Sequence, residues 1–235
     1  MLEGHISRAF DGDLAALHIR VLEMGGLVLD QVREAARAYA DWDTGAAELV
    51  IERAASVAEY DASIEREQLT LIARRQPVSR DLRAIFALAK SATQLDRAGI
   101  ESRKIAQTVA RQGERPARPT SADVRHLADL AMSLLRRSLE ALDRIDAGTA
   151  SEVIASDEEL DAEYAAGMRR LISRAMEDPQ HLDVAMEAAF VLKSLERIGD
   201  HARIIAEQVR SIVPDEEPPP IRSPVDQVLK TPHAP

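Results

Sequence analysis

Helical periodicity, written twice over, is the feature that most constrains this chain. Leu14, Leu17, Val21, Met24 and Val28 recur at spacings of three and four, which puts them on one stripe of a helix. Val50, Ala54, Val57, Ile64 and Leu71 trace a second stripe, and a further helix carries Leu127, Leu130, Met132, Leu135 and Leu139. The breaks between stripes have local causes. Asp43-Thr44 supplies N-cap chemistry. Gln76-Pro77 ends a helix because proline disfavours helical backbone in the residue before it. Asp146-Ala-Gly148-Thr149 and Asp178-Pro179 read as turns. Six helices follow, the first from about Asp13 to Tyr39, the fifth from about Ala150 to Met176 and the sixth ending near Val213. Gly25 and Gly26 inside the first helix each cost up to about 1 kcal/mol relative to Ala; close packing against a neighbouring helix is the expected reason, with a hinge as the alternative.

The pattern repeats after about 100 residues, longer than a solenoid unit. Val50-Ile51 returns as Val153-Ile154, Pro77 as Pro179, and Leu95-Asp-Arg-Ala-Gly99 as Leu195-Glu-Arg-Ile-Gly199. Duplication of a three-helix bundle explains this. The expected fold is all-α: a first bundle over 1–113, a linker over 114–120 around Pro116 and Pro119, a second bundle over 121–213, and a Pro-rich disordered tail over 214–235. Aromatic residues make up only 3% of the chain, so the apolar positions fall to Ala and Leu, which favour helix over strand.

Charge and composition narrow the function. The formal net charge is −10 with no Lys/Arg-rich stripe, which argues against nucleic-acid binding. There is no cysteine, which excludes thiol chemistry and thiolate metal sites. No stretch of about 18 apolar residues is present, so no membrane insertion is expected. The start of the sequence does not read as a signal peptide, and the expected location is cytoplasmic.

Acid pairs are the candidate chemistry. Glu196 and Asp200 lie four apart, on one helix face, about 6 Å between Cβ atoms. Asp157 and Asp161 form a second pair, and Asp157 falls on the apolar stripe of Val153, Leu160 and Leu171. Carboxylates so placed repel unless a cation joins them, and oxygen donors suit a hard or borderline divalent or trivalent metal. Chance acid pairs on solvated faces are common, so a purely structural role stays open. So does a metal store or metal-dependent enzyme. Against a ferritin-like oxidase, the chain has no Glu-x-x-His. His201 follows Asp200 and points about 100° away from the acid face. No phosphate loop or nucleophile elbow appears, so no catalytic residue is assigned.

Two segments carry a family likeness. Leu195-Glu-Arg-Ile-Gly-Asp-His-Ala202, continuing to Ile205-Ala-Glu207, resembles the signature of PhoU proteins, regulators of phosphate uptake and phosphate signalling. Gln76-Pro-Val-Ser-Arg-Asp-Leu-Arg83 and the stretch from Phe10-Asp11 to Met24 are similar to further family segments. The resemblance spans about residues 5–213. It implies two three-helix bundles, acid motifs that hold iron or zinc, contact with a PhoR-like sensor histidine kinase and a PstB-like transporter ATPase, negative regulation, and homodimers in some members. The implied ligands are Asp157, Asp161, Glu196 and Asp200. The first half departs from the pattern: Ala54 and Ile100 stand where acids belong, and Glu101 is one residue late. Asp61, Glu65 and Asp96 remain there as a weaker set.

Overall fold

A computed structural model describes residues 3–111 and 121–213. The linker over 114–120 and the tail over 214–235 assigned from sequence lie outside these residues. Six long helices and one short 3-10 turn make up the described chain. They are α1 (Glu3–Asp41), α2 (Thr44–Arg75), α3 (Ser79–Ala110), α4 (Ser121–Arg144), α5 (Ala147–Glu177), the 3-10 turn Pro179–His181, and α6 (Leu182–Ile212). The all-helical expectation holds. Two boundaries moved. α1 starts at Glu3 rather than near Asp13, and α5 starts at Ala147 because Asp146 caps it.

The caps explain where helices begin. The Asp43 side chain accepts the Ala46 backbone N–H at 2.9 Å. Asp146 does the same for Gly148 at 2.9 Å and Thr149 at 3.2 Å, and Thr149 Oγ1 donates to its second oxygen at 2.7 Å. Each satisfies backbone donors that the first helical turn leaves open. The residue before each cap, Trp42 and Ile145, has positive φ, 57° and 51°. The repeat therefore reaches down to the backbone of its hairpins. Gln76, ahead of Pro77, closes α2 in the left-handed region at φ 49°.

Within each half the helices pack pairwise: α1, α2 and α3 in one bundle, α4, α5 and α6 in the other. The halves are not independent rods on a linker. α3 runs along α6 and α1 along α4, and one apolar cluster passes from Leu17 and Val21 through Leu95 and Ile105 to Leu195 and Val209. Glycines set the closest approaches. A Cβ on Gly25 would stand 2.6 Å from Leu139 Cδ2, so this glycine lets α1 meet α4. Gly26 faces open space, so close packing explains only one of the two. The α3–α6 seam also buries polar groups. Glu101, 3% exposed, takes Lys104 Nζ at 2.8 Å and Arg197 Nε from the other bundle at 3.1 Å.

A candidate carboxylate centre on the second bundle

The α5–α6 pairing fixes the register that the two acid pairs need. Gly199 faces Leu160 so closely that a Cβ there would sit 2.0 Å from Leu160 Cδ2. Asp157 and Asp161 flank Leu160 in sequence, and Glu196 and Asp200 flank Gly199. The two pairs therefore sit on either side of one contact. Asp157 is 7% exposed, on a stripe with the buried Val153, Leu160 and Leu171.

The electrostatics show that the four acids share one region. The Asp157 carboxyl is pushed up to about 6, first by burial and then by Asp161, with Asp200 and Glu196 adding to the rise. Arg203 opposes it. Its Nε lies 2.9 Å from Asp157 Oδ2 and its Nη2 lies 3.8 Å from Asp200 Oδ1, while Nη1 bonds Glu207. On the other side Lys193 Nζ donates to Glu196 Oε1 at 2.7 Å and sits 5.3 Å from the centre of the Tyr164 ring. Two side chains thus serve as counter-cations.

They leave the acids half satisfied. Asp157 Oδ1 and Glu196 Oε2 are buried with no hydrogen-bond partner in the protein. Buried carboxylate oxygens without partners are costly, and oxygens of this type accept a hard or borderline cation. In this conformation no three His, Asp or Glu side chains converge on one point among the described residues. The residues available to hold a metal are Asp157, Asp161, Glu196 and Asp200, with Arg203 lying among them.

The first bundle differs as its sequence implies. Ala54 and Ile100 hold the places of Asp157 and Asp200. Asp61 is raised by burial, by Asp96 and by Glu65, so these three acids do lie near one another. Asp96 is also raised by burial, while Arg103 and Arg97 hold it back. Glu101 takes no part, being turned into the seam between bundles. His201 is likewise turned away from the acid face. It is 6% exposed, its Nδ1 lies 3.0 Å from Gln94 Oε1, and burial lowers its pKa.

Arg203 and Lys193 were not singled out from sequence, although a signal existed. Arg203 is three residues past Asp200 and four before Glu207, and Lys193 is three before Glu196. Those are neighbour spacings on a helix.

Two tandem three-helix bundles on one core, with an acid-lined hairpin in the second, define a class of duplicated helical-bundle proteins. Both repeats match the PhoU domain family, over residues 21–109 and 124–209. The chain belongs to the PhoU family. It is 38% identical over 213 residues to the phosphate-specific transport system accessory protein PhoU homolog of Pseudomonas putida, covering 90% of this chain and 83% of that one. Against the accessory protein PhoU of Escherichia coli K12 it is 31% identical over 206 residues, covering 88% and 86%. The crystal structure of PhoU from Pseudomonas aeruginosa superposes with a TM-score of 0.82 at 37% identity, covering 87% of this chain and 98% of that chain. The phosphate transport system regulatory protein PhoU of Streptococcus pneumoniae gives 0.79 at 27% identity, covering 86% and 96%.

Proposed function

We propose that this protein regulates phosphate uptake and phosphate-starvation signalling by contacting other proteins, with no bond-making step of its own. The observation that carries this reading is the match of both repeats to relatives named as phosphate transport accessory proteins. The partners proposed are a PhoR-like histidine kinase and a PstB-like transporter ATPase, met in the cytoplasm by a homodimer that restrains uptake and signalling. No helix of the described residues is long and apolar enough to cross a membrane, which accords with a protein that acts on a transporter from outside the bilayer. Deletion in the source organism should change phosphate uptake and derepress a phosphate-starvation reporter. If neither responds, the phosphate reading falls.

The carboxylate centre is proposed to hold iron or zinc through Asp157, Asp161, Glu196 and Asp200. A bound cation would neutralise charge across the α5–α6 hairpin. The two unpartnered buried oxygens support this. Metal content per chain should fall in the double variant Glu196→Ala/Asp200→Ala. Unchanged stoichiometry would remove these residues from the assignment.

A further inference from the structure

We propose that the α5–α6 tip and the adjoining α3–α6 groove form one docking surface for an acidic, amphipathic helix of a partner protein. This deepens the reading of the chain as a regulator that works by contact, and rests on it.

Exposed apolar side chains gather at this end of the molecule. Among the described residues, eleven large apolar side chains are exposed, and five of them lie on this hairpin: Ile172, Met176, Leu182, Met186 and Phe190. Met176 is 78% and Phe190 66% exposed. Such clustering marks an interaction site more often than scattered exposure does. The three on α6 are spaced four apart, which is the spacing of a stripe that a helix normally buries. The stripe then changes character. Lys193 and Arg197 continue it after Phe190 at spacings of three and four. From Leu182 to Arg197 it runs about 22 Å at 1.5 Å per residue.

Phe190, Lys193 and Arg197 line one wall of a groove of about 470 Å³. Lys104 of α3 and Arg111, its C-cap, line the other. Four cations thus surround a groove whose acidic wall residue, Glu101, is buried beneath Lys104 and Arg197. This is a local basic site on a chain of net charge −10. Lys104 and Arg197 share Glu101 and Lys193 holds Glu196, so the four cations outnumber their two carboxylates and leave the groove net positive. That favours an anionic occupant at this end, and the apolar stripe favours an apolar one at the other. A small anion would leave the stripe uncovered, and nucleic acid has no use for Leu182, Met186 and Phe190. A helix of about five turns with apolar residues at one end and Asp or Glu at the other covers both, in the helix-in-groove mode.

The test uses the full chain and a fluorescent synthetic peptide of about 20 residues, enough for this span. It carries Leu at three positions spaced by four, followed by Glu at the next positions of the same face. A second peptide carries Lys in place of Glu. Anisotropy titration should show the Glu peptide binding at least tenfold more tightly, with affinity falling as salt rises. Phe190→Asp and Arg111→Glu should each weaken it at least fivefold. Leu69→Asp, at an exposed position of the first bundle, should not. Circular dichroism confirms that each variant is folded. Equal binding of the two peptides, or equal loss in the Leu69→Asp control, overturns the proposal. So does conversion of a wild-type dimer to monomer by Phe190→Asp, which would make a second copy the occupant. Phe190-dependent binding to anionic lipid vesicles without peptide binding overturns it in favour of a membrane. No phosphate enters this measurement. Peptide binding alongside unchanged phosphate uptake in the deletion strain would keep the surface and discard the phosphate reading.

Discussion

Replacing Asp157 with Asn should make the metal-free protein more stable at neutral pH, although it weakens an ion pair. Burial and three neighbouring acids raise this carboxyl from 3.8 to about 6 even with Arg203 against it. At 1.36 kcal/mol per tenfold change, that corresponds to roughly 3 kcal/mol of penalty on the charged form. Solvent at the rim of the groove screens part of it, so about 1–3 kcal/mol is expected. Asn keeps the shape of the side chain, and Arg203 keeps Asp200 and Glu207. The sign follows from linkage. A folded-state carboxyl raised above its unfolded value contributes stability that is fully present below pH 3.8 and lost as pH rises through about 6. Above that, the ionised Asp157 works against the fold. In chelator at pH 7.5, Asp157→Asn should therefore melt above wild type, by about 2–4 °C for each kcal/mol in a chain of this size. The gap should shrink towards zero near pH 4. A variant that melts below wild type at pH 7.5 would mean that the Arg203 pair outweighs burial, and the reasoning would be wrong.

Two other substitutions probe the fold. Gln31 on α1 is 6% exposed, and neither of its amide atoms has a protein partner. The equivalent position of the second bundle is the buried Leu134, so Gln31→Leu should stabilise the chain by about 1–3 kcal/mol, read by urea unfolding. Asp146 is held below the usual carboxylate range by its bonds from Thr149 and Gly148. Its contribution is present above the unfolded pKa and is lost as pH falls through the folded one. Asp146→Ala should lower the melting temperature at pH 7, and the difference should close in acid. A difference that persists at low pH would assign the loss to something other than the ionised cap.

Much of this was legible in the residue order, for physical reasons. The 3–4 spacing and the Asp43 cap located helices, because burial and unsatisfied backbone donors act locally, whereas Asp146 read as part of a turn and its cap moved the start of α5 to Ala147. Asp157 stood out because a charge on an apolar stripe conflicts with its surroundings. Other features depend on which helices meet. Periodicity shows that α3 and α6 have apolar faces but not that they bury them partly against each other. Glu101 therefore read only as an acid off its face, whereas it ties the two bundles together. Leu182, Met186 and Phe190 have the spacing of a core seam and lie in solvent, since the α6 stripe that packs inward is on the opposite face, through Ala188, Leu195 and Ile198. Gly25 and Gly26 are indistinguishable in sequence, and only the position of Leu139 separates them.

Lys193 is a single ammonium with two claims on it. Its Nζ holds Glu196 at the carboxylate centre, and its side chain lines the basic groove one turn away. It cannot neutralise both at full strength. Whatever satisfies Glu196 in its place frees that ammonium for the groove, and whatever acid enters the groove draws it away from Glu196. Any two ligands placed at those positions would sense each other through the reach of one side chain, without either bundle having to move, and by thermodynamic necessity the influence would be equal in both directions.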